Sequence, residues 1–249
     1  MIKDRILLDL IKDEPKTYLH FGDGDYYFLT QQAIGSAKPG NRALSKDYKD
    51  MNMQPFIDGV LKNDYICMEY EEQEMIKNFH KIYPNREIDY NLTDIYAYMA
   101  TKWLLQFDKV GLIGAGPKIE LIKELMKFKE YQTYLEVDEF TDYITVPQKY
   151  LADDIETAEK DICKQLEKAE SNVILYGIGH AKTALAWTFK KYHNAIYIDV
   201  GAGIDMLAGI YDYQRPFGMN WINYRLHRFD YDKLDLMYFQ SRSNDVWLD

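Results

Sequence analysis

The sequence is poor in cysteine. Its only two, Cys67 and Cys163, stand far apart with no CxxC spacing, which excludes a disulfide framework and a cysteine-built zinc site and points to a reducing, cytoplasmic setting. No apolar run approaches the length that a membrane-spanning helix needs. The opening stretch MIKDRILLDLIKDEPK interrupts its apolar residues with acids and offers no small-residue cleavage site, so a signal peptide is not expected. Low-complexity tracts and solenoid-period repeats are lacking as well. So is an excess of positive charge: 30 Lys and Arg against 40 Asp and Glu leave a net charge of −10. That argues against broad, sequence-blind nucleic-acid binding, while leaving room for a local basic site. The five histidines (His20, His80, His180, His193 and His227) form no HExxH pair. Ser, His and Asp occur without a GxSxG elbow, so a hydrolase triad has no support.

What is present belongs to a globular chain: 249 residues, 47% hydrophobic and 28% charged, with heavy use of Tyr. The length suits one domain over residues 1–249, with 206–249 as a basic and aromatic C-terminal extension. Ile6, Leu7, Leu10 and Ile11 give an amphipathic helix over 3–12, which Pro15 stops. A short strand over 17–21 then feeds Gly22-Asp23-Gly24-Asp25. Turn chemistry makes 33–41 a loop, 64–68 reads as a buried strand, and 92–107 as a helix rich in Tyr and Trp. Beyond it the pattern is regular. Strands are expected at 110–113, 134–137, 143–146, 173–176 and 195–200. Helices are expected after Gly114-Ala115-Gly116-Pro117, over 154–169, and after Gly177-Ile178-Gly179-His180. Strands alternating with helices of this length mean βαβ units, so the fold class is α/β: a mostly parallel sheet flanked by helices, Rossmann-like.

In such sheets ligands bind beyond the carboxyl ends of the strands. Four predicted strands end in glycine-bearing turns, at 22–25, 114–117, 177–180 and 201–205. Glycine lets the backbone approach a phosphate, and the next helix supplies unpaired N–H groups, so a nucleotide is the leading ligand class. Gly114-x-Gly116 followed by Glu136, and Gly177-x-Gly179 followed by Asp199, are partial dinucleotide fingerprints. The third glycine is Ile119 in one and Lys182 in the other, which weakens NAD or S-adenosylmethionine. In Asp23-Gly24-Asp25, two carboxylates flank a glycine, an arrangement suited to Mg²⁺ or Mn²⁺ with diphosphate oxygens completing the shell. Asp-Gly turns also occur with no such role. Glu69, Glu71, Glu72 and Glu74 read as a solvated acidic face. Residues 215–229 (RPFGMNWINYRLHRF) hold three Arg, one His, Trp221, Tyr224 and no acid. This island is able to stack a sugar or contact phosphate, Arg215 and Arg228 foremost, or to pack against the core.

Phe21-Gly22-Asp23-Gly24-Asp25 resembles the FGDGE signature of the GT-D-fold glycosyltransferases. In order along the chain, 173–182 (VILYGIGHAK) resembles that family's LIxxLGPTAK strand–turn–helix, and 198–205 (IDVGAGID) its aiDiGhiD segment. The resemblance covers about residues 21–205. It implies a metal-dependent transfer of a sugar from a nucleotide-sugar donor, typically a UDP-sugar, to an acceptor hydroxyl. The acceptor is left open among a glycan, a protein hydroxyl and a hydroxylated nucleobase, and a second copy of the chain is a further candidate partner. By position, Asp23 and Asp25 would hold Mn²⁺ or Mg²⁺. Phe21, Gly22, Gly24, Gly177, Gly179, His180 and Lys182 would follow the donor, with Asp199, Gly201 and Asp205 in the same cleft and Arg215 beside it. His20, where the family has Arg, is a candidate base along with the carboxylates. The chain departs from the family at Asp25 for Glu, at Gly179-His180 for Gly-Pro, and at Gly203, an insertion relative to the family segment. Two rival readings stand beside it: a Rossmann-like S-adenosylmethionine- or NAD-using enzyme built on Gly114–Pro117 with Glu136, and a non-catalytic nucleotide-binding module.

Overall fold

The computed structural model describes residues 2–34, 37, 44, 45, 47, 50–68, 73–89 and 105–208. Six strands run parallel in one sheet: β1 (Lys16–His20), β2 (Tyr65–Cys67), β3 (Val110–Ala115), β4 (Asp142–Val146), β5 (Val173–Gly177) and β6 (Ile196–Asp199). Their order is β2-β1-β6-β5-β3-β4. Most strand residues are buried, the edge strand β4 least so, as expected where crossover helices cover both faces of a parallel sheet. Register is fixed by this two-sided burial. Tyr18 lies beside Ile198, and Tyr176 beside Asp199.

Side chains alternate between the two faces. Tyr18, Leu112, Leu175 and Ile198 point to one face. There they meet Ile6 of α1 (Ile2–Ile11), Ile119 and Ile122 of α5 (Gly116–Leu125), Tyr131 and Leu135 of α6 (Lys129–Leu135), and Ile204 of α9 (Gly203–Leu207). Leu19, Ile113, Ile174 and Tyr197 point to the other. Covering them are Phe28 of α2 (Asp23–Leu29), Phe56 and Val60 of α3 (Gln54–Lys62), Phe79 of α4 (Gln73–Ile82), Ile162 of α7 (Ile155–Leu166), and Leu185 and Phe189 of α8 (Lys182–Phe189). Helices α3 and α8 touch backbone to backbone. A Cβ on Gly59 would come within 2.0 Å of the Thr183 carbonyl oxygen, so only glycine fits that crossing. Among the described residues no helix is long and apolar enough to cross a membrane.

The expected α/β class is what the structure shows, and most elements lie where the pattern put them. One does not. Residues 134–137, expected as a strand, are the last turn of α6 and the residues after it, and Glu136 caps the helix in a left-handed conformation (φ 61°). The helix wins because Tyr131 and Leu135, four residues apart, share one buried face, and the Tyr131 hydroxyl donates to the Leu207 carbonyl. Short apolar runs do not separate the two periods. Of the expected helix over 92–107, residues 105–107 are turn and bend rather than helix, and 92–104 lie outside the described residues, as do much of the loop over 33–41, Glu69, Glu71 and Glu72, and the island over 215–229.

Candidate functional site

Five strands end on one cleft of about 270 Å³. Its rim includes the last residue of each: His20 of β1, Ala115 of β3, Val146 of β4, Gly177 of β5 and Asp199 of β6. The turns after β1, β5 and β6, far apart along the chain, meet there. His20, Gly22, Asp23, Gly24, Asp25, Gly177, Gly179, His180, Lys182, Asp199, Gly201 and Asp205 all line it. Phe21 does not. It is fully buried and packs edge-on against Phe79 at 4.9 Å, one residue past the end of β1 and in the same core cluster as Leu19. Arg215 lies outside the described residues.

The floor of the cleft is an ion cluster around Lys182. Its Nζ is 2.7 Å from Asp199 Oδ2, 3.0 Å from Asp25 Oδ2, and donates to the His20 carbonyl oxygen at 2.7 Å. All three side chains are buried, and a buried charge persists only when paired in this way. The two carboxylates respond differently. Burial pushes Asp199 up to about 6, with Lys182 opposing and Asp25 adding to the rise. Burial would also raise Asp25, but Lys182, His180 and the Gly22 amide outweigh it and hold that carboxyl well below the usual range. The Gly22 N–H donates to Asp25 Oδ2 at 3.0 Å, and His180 Nδ1 lies 3.5 Å from Oδ1. His180 is in turn stacked on Phe28, with ring centroids 4.7 Å apart and planes 6° from parallel.

This arrangement alters three expectations. Asp23 and Asp25 do not converge. As residues i and i+2 at the start of α2 they leave the helix in different directions: Asp23 is exposed while Asp25 is turned inward onto Lys182. His20, a candidate base, is pushed down to about 3, by burial first and by Lys182 second, so it stays neutral and is a poor proton acceptor. Glu136 is exposed at the end of α6 rather than at a strand end, which removes the acid from the fingerprint at Gly114.

Among the described residues no three His, Cys, Asp or Glu gather into a cation cage. Mg²⁺ and Mn²⁺ bound with a diphosphate need only one or two protein carboxylates, the phosphate oxygens and waters filling the rest. Asp23, exposed at the rim, fits that role; Asp25, taken up by Lys182, does not. The charge of the cleft also suits a cation. Its lining carries four carboxylates (Asp23, Asp25, Asp199, Asp205) against two ammonium groups (Lys118, Lys182), so a diphosphate entering alone would meet net negative charge.

The glycines divide by cause. Gly179 has φ +57° and nothing within 4 Å of where a Cβ would sit, so the backbone there is open to a ligand. Gly177 is required by packing, since a Cβ would fall 2.4 Å from the Gly201 carbonyl oxygen. Lys118, missed in the sequence, also lines the cleft, where its Nζ is paired with Asp205. It stands one residue before the core residue Ile119, in a run that looks like any amphipathic helix. Set against protein-family models, curated proteins and solved structures, the chain matches none.

Proposed function

We propose that this chain is a glycosyltransferase that takes its sugar from a nucleotide-sugar donor, a UDP-sugar first, and passes it to an acceptor hydroxyl. One observation carries the reading: three glycine-bearing turns that resemble one family's ordered motifs meet at a single cleft on the carboxyl ends of a parallel sheet. The dinucleotide alternative is weakened at both turns. Glu136 is away from the strand ends, and the place of the third glycine after Gly177 holds the buried hub Lys182. The two free, buried cysteines suit a reducing compartment, so a cytoplasmic place belongs to the proposal.

In this reading the open backbone at Gly179 and the turn at Gly201 let the donor's diphosphate approach the strand ends. Asp23 would hold Mn²⁺ or Mg²⁺, which when bound supplies positive charge to the diphosphate leaving group. Lys182 is already ringed by oxygens and acts by holding Asp25 and Asp199, and with them β1 and β6, in register. Asp25 fixes the turn through the Gly22 amide and orients His180. The acceptor's proton is not assigned to His20, whose basicity is too low.

The test is calorimetric titration of UDP, UDP-sugars, S-adenosylmethionine and NAD, with and without Mn²⁺, followed by turnover across an acceptor panel. Mn²⁺-dependent UDP binding with sugar release or transfer is the expected result. Tight S-adenosylmethionine or NAD binding without UDP binding would overturn it, and UDP binding without any turnover would favour a binding module.

A further inference from the structure

Lys118 has no part in the motifs that suggested the site, yet it lines the same cleft with its side chain only 10% exposed. It sits in the first turn of α5, where the helix dipole favours an anion and disfavours a cation. Its Nζ is paired with Asp205 Oδ1, and Asp205 is itself more open, with its side chain 25% exposed. The cleft's other ammonium, Lys182, is ringed by His20 O, Asp25 and Asp199. Of the cations lining the cleft among the described residues, Lys118 is therefore the one whose counter-ion sits toward solvent.

We infer that Lys118 and Asp205 form an exchangeable ion pair, in which a phosphate group of the ligand replaces the Asp205 carboxylate on the Lys118 ammonium. Before binding, Asp205 neutralises a lysine placed against a helix dipole. On binding, the phosphate takes that place in a buried setting, where an anion–ammonium contact is stronger than in water. The freed Asp205 turns to solvent, toward which it is already the more open of the two. This makes Lys118 a recognition residue for phosphate and Asp205 its competitor. The inference rests on the nucleotide reading for the ligand's identity, while its chemistry requires only a phosphate oxygen.

The pair predicts opposite effects from its two members. UDP, uridine and inorganic pyrophosphate are titrated calorimetrically, at fixed Mn²⁺, into the wild-type chain, Lys118→Met and Asp205→Asn, with melting temperatures recorded for each. Lys118→Met is expected to weaken UDP and pyrophosphate about tenfold or more and leave uridine unchanged. Asp205→Asn is expected to tighten both phosphate ligands roughly three- to tenfold, an effect that no loss of folding produces. Both variants binding UDP within twofold of wild type would overturn the inference and leave the donor reading standing. Binding of pyrophosphate, but not UDP, in a Lys118-dependent way would support the inference and overturn the donor reading. If the wild-type chain binds neither UDP nor pyrophosphate, both fall.

Discussion

Lys182 and Asp199 meet at 2.7 Å on the floor of the cleft, and the same ammonium reaches Asp25 at 3.0 Å, so one cation ties the end of β6 to the turn after β1. Two acids around one base leave a buried excess of negative charge. The first prediction comes from removing the base. Lys182→Met strands two buried carboxylates and should cost roughly 3–5 kcal/mol in denaturant unfolding. A loss below about 1 kcal/mol would show that water reaches the cluster and that Lys182 is not its hub.

Asp199 sets a pH dependence. Its folded pKa, raised to about 6, lies above the ordinary carboxylate value, so between about pH 4 and pH 6 the native state binds more protons here than the unfolded chain. Stability from this group therefore falls as pH rises through that window, by at most about 1.4 kcal/mol per pH unit. Asp25, held low, acts the other way, and its contribution is lost only as pH drops below the ordinary carboxylate range. Unfolding free energies of wild type and Asp199→Asn, compared from pH 4 to pH 7, should diverge with that slope. Parallel curves would remove the raised pKa.

The two acids of the Asp23-Gly24-Asp25 turn should separate in one experiment. Asp23 is exposed, so Asp23→Asn should keep stability within about 0.5 kcal/mol and, under the proposed function, lose Mn²⁺-dependent UDP binding. Asp25→Asn weakens a buried ion pair and should lower stability by about 2–4 kcal/mol whether or not metal is present. Equal, small stability losses for both would contradict the inward placement of Asp25.

Gly177 and Gly179 offer a matching contrast. Gly177→Ala drives a Cβ to 2.4 Å from the Gly201 carbonyl oxygen and should cost about 1–3 kcal/mol, since backbone rather than a flexible side chain must shift. Gly179→Ala meets no neighbour and should cost about 1–2 kcal/mol from its left-handed conformation alone. Under the proposed function its larger effect should be on nucleotide affinity. Thermal melts with and without UDP separate the two, and a Gly179→Ala chain that binds UDP as wild type does would show that the ligand keeps away from that turn.

The strands and their terminal glycines were readable because a parallel strand is an apolar run and its ligand-facing end needs a tight turn; 173–176 followed by Gly177 is the plainest case. Direction was harder to read. Whether Asp25 points outward to a metal or inward to a lysine depends on its angle around α2, which two acids spaced i and i+2 do not reveal. Lys182 was legible as a missing glycine and, through the resemblance, as a residue along the donor, but not as a hub, because its partners Asp25 and Asp199 are brought to it by tertiary packing. Lys118 gave no signal, since a lysine in the first turn of an amphipathic helix reads as solvated. At 134–137, a run of Tyr, Leu and Val suited a strand until Tyr131 and Leu135 found a shared face.

The sheet order has a consequence for how this cleft comes into being. β1 lies between β2 and β6, and Tyr18 is paired with Ile198, 180 residues further along the chain. A ribosome adding about 5–20 residues per second makes β1 and then needs on the order of ten seconds or more before β6 exists. Until then β1 keeps one edge unsatisfied and Lys182 has no Asp199 to meet. Such long-range closure is slow and exposes strand edges to association. The growing chain therefore holds one wall of its cleft, Gly22 to Asp25, well before it holds the wall from Asp199 to Asp205. Any ligand that bridges the two would act late, as the clasp on a nearly finished sheet.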